Sequence, residues 1–349
     1  MVILESMEEI IQDEREREEQ ERIESKYNEL FPNYERLCIN LKNSIICLLQ
    51  DNNIAYLDVQ SRVKEFTSFF EKISLKHYCN PFNDIEDLAG IRIICFYPSD
   101  IDIINNLIKK HFNILSEENK LDKLDDDKFG YRSTHFILKV KEEWLCVPNF
   151  KGLESLKVEL QVRTILMHAW ADVSHKLLYK KEADVPKPLR RELNLLSAVF
   201  ELADKQFERL RQERNNYIET LTEQAKINGF DLTQEINVDS IQAFLNFYFS
   251  DREKSFDGIP SFIEEMQRAN ITFDALVDCT QKLEPLLNGY EMEYRKLVND
   301  EWKWTQLGII RLILDISNDK FSQSRKVTTD SKYGKFVIQK RVLLKKASK

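Results

Sequence analysis

Asp87 and Glu159 are the two acids of this chain best placed to do chemistry. Asp87 lies in Ile85-Glu86-Asp87-Leu88-Ala89-Gly90-Ile91-Arg92, at the mouth of a short β-branched and aromatic run, 90–97, that reads as a strand. An acid there, beside a glycine and an arginine, suits Mg²⁺, which takes one or two carboxylates and leaves room for phosphate oxygens. It could equally be an acidic turn residue. Glu159 sits in Val158-Glu159-Leu160-Gln161-Val162-Arg163-Thr164. Side chains alternate faces along a strand, so Val158, Leu160 and Val162 point into a core. Glu159, Gln161 and Arg163 then share the opposite face, which is either a site or a solvated sheet surface.

Three further groups carry chemistry. The run Gly130-Tyr131-Arg132-Ser133-Thr134-His135 follows Lys128 and, if extended, puts Tyr131, Ser133 and His135 on one face. A ring there can stack on a base and an imidazole can meet phosphate; a glycine turn leading into a packed strand fits the same residues. Ser61-Arg62-Val63-Lys64 is followed by Ser68 and Lys72, which share a helical face four residues apart. Cations converging this way suit a triphosphate, although such charges often only face water. His168, Asp172 and His175 stand at i, i+4 and i+7, a spacing that could hold a transition metal or simply a hydrogen-bonded helix.

The elements that must position these residues follow from periodicity. Residues 7–30 are dense in charge and read as an exposed helix, and 34–49 as a second helix ended by Asp51-Asn52-Asn53. Strands are expected at 90–97, 133–140 and 156–164, with helices at 100–112, 166–179 and 187–221. Beyond Gly229 the pattern is helical at 238–249, 259–268, 272–283 and 285–314, with Pro285 in a first turn. The apolar run 336–343 is expected to add a strand. The fold class is therefore α+β: a mixed sheet flanked by helices, then a mainly helical C-terminal domain. The expected divisions are a charged helix at 1–34, a mixed-sheet domain at 35–228 and a helical domain with a basic tail at 229–349.

Bulk properties narrow the class. The 349 residues are 42% hydrophobic and 32% charged, enough for two cores, and only 8 Gly and 8 Pro punctuate them. No run of about 18 apolar residues occurs, so no membrane span is expected. The N-terminus turns acidic by Glu5 and does not read as a signal segment. Six scattered cysteines without a C-x-x-C pair read as reduced thiols, and together these features point to the cytoplasm. The net charge of −8 argues against a general nucleic-acid coat, yet 320–349 holds ten Lys or Arg against one acid, Asp330. There is no Walker-type glycine loop.

Taken in order, S-R-V-K with Ser68 and Lys72, D-L-A-G-I-R, G-Y-R-S-x-H, V-E-L-Q-V-R-T and H-A-W-A-D-V-S-H-K-L-x-Y-K resemble the RelA/SpoT synthetase domain, in particular the stand-alone small alarmone synthetases, over about 48–206. The resemblance implies a nucleotidyltransferase-like fold and an ATP:nucleotide 3′-pyrophosphotransferase that makes (p)ppGpp from ATP and GTP or GDP. It implies that Asp87 and Glu159 are catalytic and hold Mg²⁺, with Glu159 activating the acceptor hydroxyl. Arg62, Lys64, Ser68, Lys72 and Arg92 would bind ATP, with Arg62 near the adenine. Lys128, Tyr131, His135, Gln161, Arg163 and His168 would bind the acceptor, Tyr131 by stacking and His135 through phosphate. No histidine precedes an aspartate, so the His-Asp pair of the family's hydrolase domain is missing and synthesis without hydrolysis is expected. The acidic loop 121–128, the extra region and its basic tail suggest a second acceptor, the 3′ end of tRNA, with the C-terminal region as a neutralising or regulatory domain. A homo-oligomer is a further expectation.

Overall fold

A computed structural model describes residues 2–76, 78, 80–119, 133–177, 186–254, 256–299 and 303–347. The chain divides into two compact units, Met1–Arg209 and Leu210–Lys349.

The first unit is built on a mixed sheet in the order β1-β2-β5-β4-β3, from β1 (Asp58–Val63), β2 (Ala89–Cys95), β3 (Asn113–Asn119), β4 (Thr134–Lys139) and β5 (Val158–Thr164). β2 and β5 run parallel at its centre; the other neighbours are antiparallel. Alternation sorts the faces as expected. Ile91, Ile93, Phe136, Leu138, Val158, Leu160 and Val162 are buried in one core with α1 (Val2–Asp51) and α4 (Pro98–His111), through Leu37, Leu41, Ile45, Ile101, Ile104 and Ile108. The register then aligns the opposite face in two rows: Arg62, Gly90, Glu159 and Ile137 in one, Gln60, Arg92, Gln161 and His135 in the other. α2 (Phe66–Lys76) follows β1, the short α3 (Pro81–Asp84) precedes β2, and α5 (Ile165–Leu177) leaves the end of β5.

The two N-terminal helices expected from charge and periodicity are one. α1 runs unbroken with Pro32 inside it, so 1–34 is not a separate element. Proline removes one backbone donor and strains a helix interior, but buried Tyr27, Tyr34 and Leu37 hold both sides of it to the core. The edge strand β3 was not anticipated, because Asn-Ile-Leu-Ser-Glu-Glu-Asn is polar. An edge strand pairs on one side only and tolerates such residues.

α6 (Lys187–Asn228) belongs to both units, so the division falls inside it rather than at 228/229. In the first unit its Asp204 accepts a hydrogen bond from Thr164 Oγ1 at 2.6 Å, and Glu208 accepts from Ser99 N and Oγ. In the second its Arg214 pairs with Asp239. Gly229 closes it at φ +75°, where a side chain would be strained.

The second unit is helical: α7 (Val238–Tyr248), α8 (Ile259–Arg268), α9 (Phe273–Leu283), α10 (Leu287–Val298), α11 (Gln306–Ser317), α12 (Asp319–Ser324) and α13 (Lys332–Ala347). α11 buries Leu307, Ile309, Ile310, Leu312, Ile313, Leu314 and Ile316, apolar on nearly every side, as the centre of a bundle must be. Side-chain caps start several helices: Asn237 in a capping box, Thr272, Thr305 and Asn318. The single helix expected at 285–314 is two. Pro285 sits in a 3₁₀ turn, Glu284–Leu286, and left-handed Asn299 ends α10 before Thr305 restarts the chain as α11. The expected strand at 336–343 is the helix α13. Phe336, Val337 and Lys340 are buried at i, i+1 and i+4, a helical face that packs on α10 and α11.

Candidate active site

The polar face of the sheet carries the chemistry. β5 places Glu159 at its centre, with Gly90 of β2 beside it on one side and Ile137 of β4 on the other. One pair further along, His135 and Arg92 flank Gln161. Glu159 Oε1 lies 3.0 Å from His135 Nδ1, and its Oε2 accepts Gln161 Nε2 at 3.0 Å. Arg163 Nη2 donates in turn to Gln161 Oε1. Burial pushes the Glu159 carboxyl up, as does the charge of Asp87, but the hydrogen bonds and charge of His135 and the Gln161 amide outweigh them and hold it below the usual carboxylate range.

Asp87 ends the loop before β2. Lys64, just past β1, reaches its Oδ2 at 2.5 Å; Lys72, on α2, stands 2.9 Å from Oδ1. Burial works to raise this acid too. Lys64, through its hydrogen bond and charge, and Lys72, through its close charge, win and hold it below its ordinary range. Oδ1 is buried, and its contact with Lys72 is off the direction of a good hydrogen bond. Asp87 and Glu159 are near enough for the charge of one to act on the other.

Gln60, Ser61, Arg62, Gly90, Ile91 and Arg92 join Glu159 and Gln161 around a cleft of ≈ 270 Å³. Gly90 keeps its floor low: even a Cβ there would lie 3.7 Å from Arg62 Cγ, and a longer side chain would fill the space between Arg62 and Glu159. Arg92 Nη1 lies 3.4 Å from His168 Nδ1 and 3.5 Å from Asp172 Oδ1, while its Nε is buried without an acceptor among the described residues. Burial lowers the His168 pKa, opposed by Asp172 and reinforced by Arg92 and Arg163.

The fold therefore gathers Lys64, Lys72 and Asp87 in one cluster, His135, Glu159, Gln161 and Arg163 in a second, and Arg92 with His168 in a third. Arg62 lines the cleft with Arg92 and Glu159, and Ser68 is exposed on α2 one turn before Lys72. Lys128 and Tyr131 lie outside the described residues, as does the acidic loop. The transition-metal reading of His168, Asp172 and His175 does not hold. His168 is spent on Arg92 and Asp172, His175 is exposed, and no group of three or more His, Cys, Asp or Glu among the described residues could hold a metal ion. Gln60 and Gly90 were not foreseen as site residues. The signal for Gln60 was its place two residues before Arg62, on the same strand face.

The family described as "Region found in RelA / SpoT proteins" matches residues 61–184. The chain is 35% identical over 159 residues to the GTP pyrophosphokinase YwaC of Bacillus subtilis (strain 168), covering 44% of this chain and 73% of that protein. The chain belongs to the RelA/SpoT family. A second relative, the GTP pyrophosphokinase YjbM of the same organism, is 29% identical over 160 residues, 44% of this chain and 72% of its own. The crystal structure of the small alarmone synthetase 1 from Bacillus subtilis aligns with a TM-score of 0.48 at 24% identity, over 55% of this chain and 98% of that one. The RelA/SpoT match lies wholly within the first unit.

Proposed function

We propose that the first unit transfers the β,γ-pyrophosphate of ATP to the 3′-hydroxyl of GTP or GDP, and that it makes this product without hydrolysing it. The observation that carries the reading is that ionised Glu159 lines one cleft with Arg62 and Arg92, while ionised Asp87, close enough for its charge to act on Glu159, is held by Lys64 and Lys72. Excess positive charge at the rim suits a triphosphate. Relatives named as GTP pyrophosphokinases support the acceptor.

In this reaction the acceptor 3′-oxygen forms a bond to the β-phosphorus as the bond from that phosphorus to the α–β bridging oxygen breaks, and AMP leaves. The in-line geometry demands positioning and charge stabilisation more than covalent help from the protein. Glu159, kept ionised by His135 and Gln161, takes the proton of the attacking hydroxyl. Lys64 and Lys72 balance charge on the transferred phosphates, and Arg62 and Arg92 hold the donor.

The donor set fits Mg²⁺. Asp87 and Glu159 offer hard oxygens, Asp87 Oδ1 lacks a well-directed partner, and two carboxylates are what this ion takes when phosphates fill its other positions. Bound there, it would neutralise charge on the β- and γ-phosphates.

The test is to give the purified full chain ATP labelled at the γ-phosphate, with GTP, GDP or deacylated tRNA in separate reactions. Label in a guanosine tetra- or pentaphosphate that then persists supports the reading; label in tRNA alone, or a product that decays, overturns it. Four of the ten basic residues of the tail that suggested tRNA pair within the second unit: Arg325 with Asp315, Lys340 with Glu293, and Arg341 and Lys345 with Asp319.

A further inference from the structure

Counted back along β1 from Lys64, the side chains on the same face are Arg62, Gln60 and Asp58. Lys64 is paired with Asp87, and Lys72 stands on the same acid, so this end of the face suits phosphates. Four residues of strand span roughly 13 Å. A nucleoside triphosphate with its phosphates at Lys64 and its long axis along β1 therefore brings its base to Gln60. Arg92, opposite Gln60 on β2, and Arg62, two residues along β1, offer planar guanidinium faces to such a ring. Gln60 thus belongs to the donor side of the cleft.

The Gln60 amide is held one way round. Its Nε2 donates to Asp58 Oδ2 at 3.1 Å. A carboxylate only accepts hydrogen bonds, so the nitrogen must face Asp58, and the amide cannot turn over without losing this bond. Oε1 is left on the other side of the planar amide, in a residue that lines the cleft, and no donor among the described residues reaches it. We propose that Gln60 determines specificity for the donor base: Oε1 accepts a hydrogen bond from the 6-amino group of adenine, and Asp58 is the positioning residue that keeps it turned that way. The inference rests on the pyrophosphate transfer proposed above. Adenine carries a donor at this position, where guanine and hypoxanthine carry a carbonyl oxygen. Two oxygens face to face leave each other unpaired, which is the kind of mismatch that rejects a wrong substrate. The reaction needs such a distinction, because ATP and GTP share the same sugar and phosphates and differ only in the base.

The test gives the full chain γ-labelled ATP or γ-labelled inosine triphosphate as donor, in separate reactions with Mg²⁺ and excess GDP. The readout is the ratio of the two donor kcat/KM values. The wild type is expected to favour ATP. Gln60→Leu, which keeps the bulk without the amide, should lower that preference on the order of 10-fold, the scale of one hydrogen bond made or mismatched, with KM for GDP changed less than about 2-fold. Asp58→Asn can meet either end of the Gln60 amide and so lets it turn over. It should lower the preference too, chiefly by improving the use of inosine triphosphate. A packing role alone would slow both donors alike and leave the ratio where it was. A wild type that uses the two donors equally would overturn the proposal, as would an unchanged ratio in Gln60→Leu; an unchanged ratio in Asp58→Asn alone would strike out the positioning by Asp58. Equilibrium binding of α,β-methylene-ATP and its inosine counterpart, with GDP present, makes the same comparison without turnover. A wild type that transfers nothing to GTP or GDP but binds the adenine analogue with a Gln60-dependent preference counts against the proposed function and leaves the Gln60 assignment standing. Transfer to GDP with no such preference in binding does the reverse.

Discussion

The two units of this protein treat charge in opposite ways. In Met1–Arg209 charged side chains collect on one sheet face, where cations outnumber acids around an open cleft. In Leu210–Lys349 several are sunk among helices and matched one against another. Arg252 makes a two-pronged contact with Glu291, at 2.9 and 3.0 Å, and both side chains are almost wholly buried. Glu291 also accepts Trp304 N, and Arg252 donates to Trp304 O, so the pair ties α10 to the start of α11. Asp315, with no exposure at all, faces Arg325 and the Tyr333 hydroxyl. Paired charge fixes which helix meets which. Unbalanced charge is an offer to a ligand.

The sharpest way to break this contrast is to remove one charge of each kind. Glu159→Gln should lower pyrophosphate transfer roughly 10²–10⁴-fold, the range for loss of a general base, with far-ultraviolet circular dichroism and melting temperature little changed. A loss of fold instead of rate would place Glu159 among the structural charges. The mirror experiment is Glu291→Gln, which strands Arg252 in the bundle. It should destabilise the second unit by about 3–5 kcal/mol, as breaking a buried pair does. Amide exchange should then quicken in α10 and α11 and stay unchanged in β2 and β5.

A third test uses Asp204, the exception within the first unit. Its carboxylate is buried, with Thr164 the donor to one oxygen and no partner at the other among the described residues, and burial raises its pKa to about 6 despite that bond. The folded state therefore binds a proton between roughly pH 4 and pH 6 that the unfolded chain has released. Stability of the wild type should fall as pH rises through that window and level off above it, by up to ~3 kcal/mol. Urea midpoints of Asp204→Asn should lack this slope. Asp87 and Glu159 have the opposite sign: their lowered values support the fold above the ordinary carboxylate range, and that support disappears as the pH drops below it. The smallest effect is expected from Lys345→Ala with Lys346→Ala, which should change transfer by less than 2-fold. A larger loss would show that the tail serves the reaction after all.

Much of the site was legible in order along the chain. The period-2 pattern of Val158-Glu159-Leu160-Gln161-Val162 shows at once that Glu159 and Gln161 share a face, because strand geometry leaves no other arrangement. Asp87 before β2, and Lys72 one turn after Ser68, followed from equally local rules. The C-terminal half was harder to read. The run 336–343 alternates poorly and could suit a strand or a buried helix. Only its packing on α10 and α11, through Phe336, Val337 and Lys340, decides for the helix. The merging of two expected helices into α1 has the same origin, since burial on both sides of Pro32 overrides a local penalty.

Sequence by itself determined which residues share a strand face, which family the active half belongs to, and the types of group the reaction can use. Each of those depends on neighbours along the chain or on motifs that survive as strings. Tertiary structure alone decided that Lys64 and Lys72 meet on Asp87, that His135 lies between Ser133 and Glu159, and that Arg325, Lys340 and Arg341 of the basic tail find Asp315, Glu293 and Asp319. Where a charge finds its partner is set by distance through space, and the linear pattern does not contain that distance.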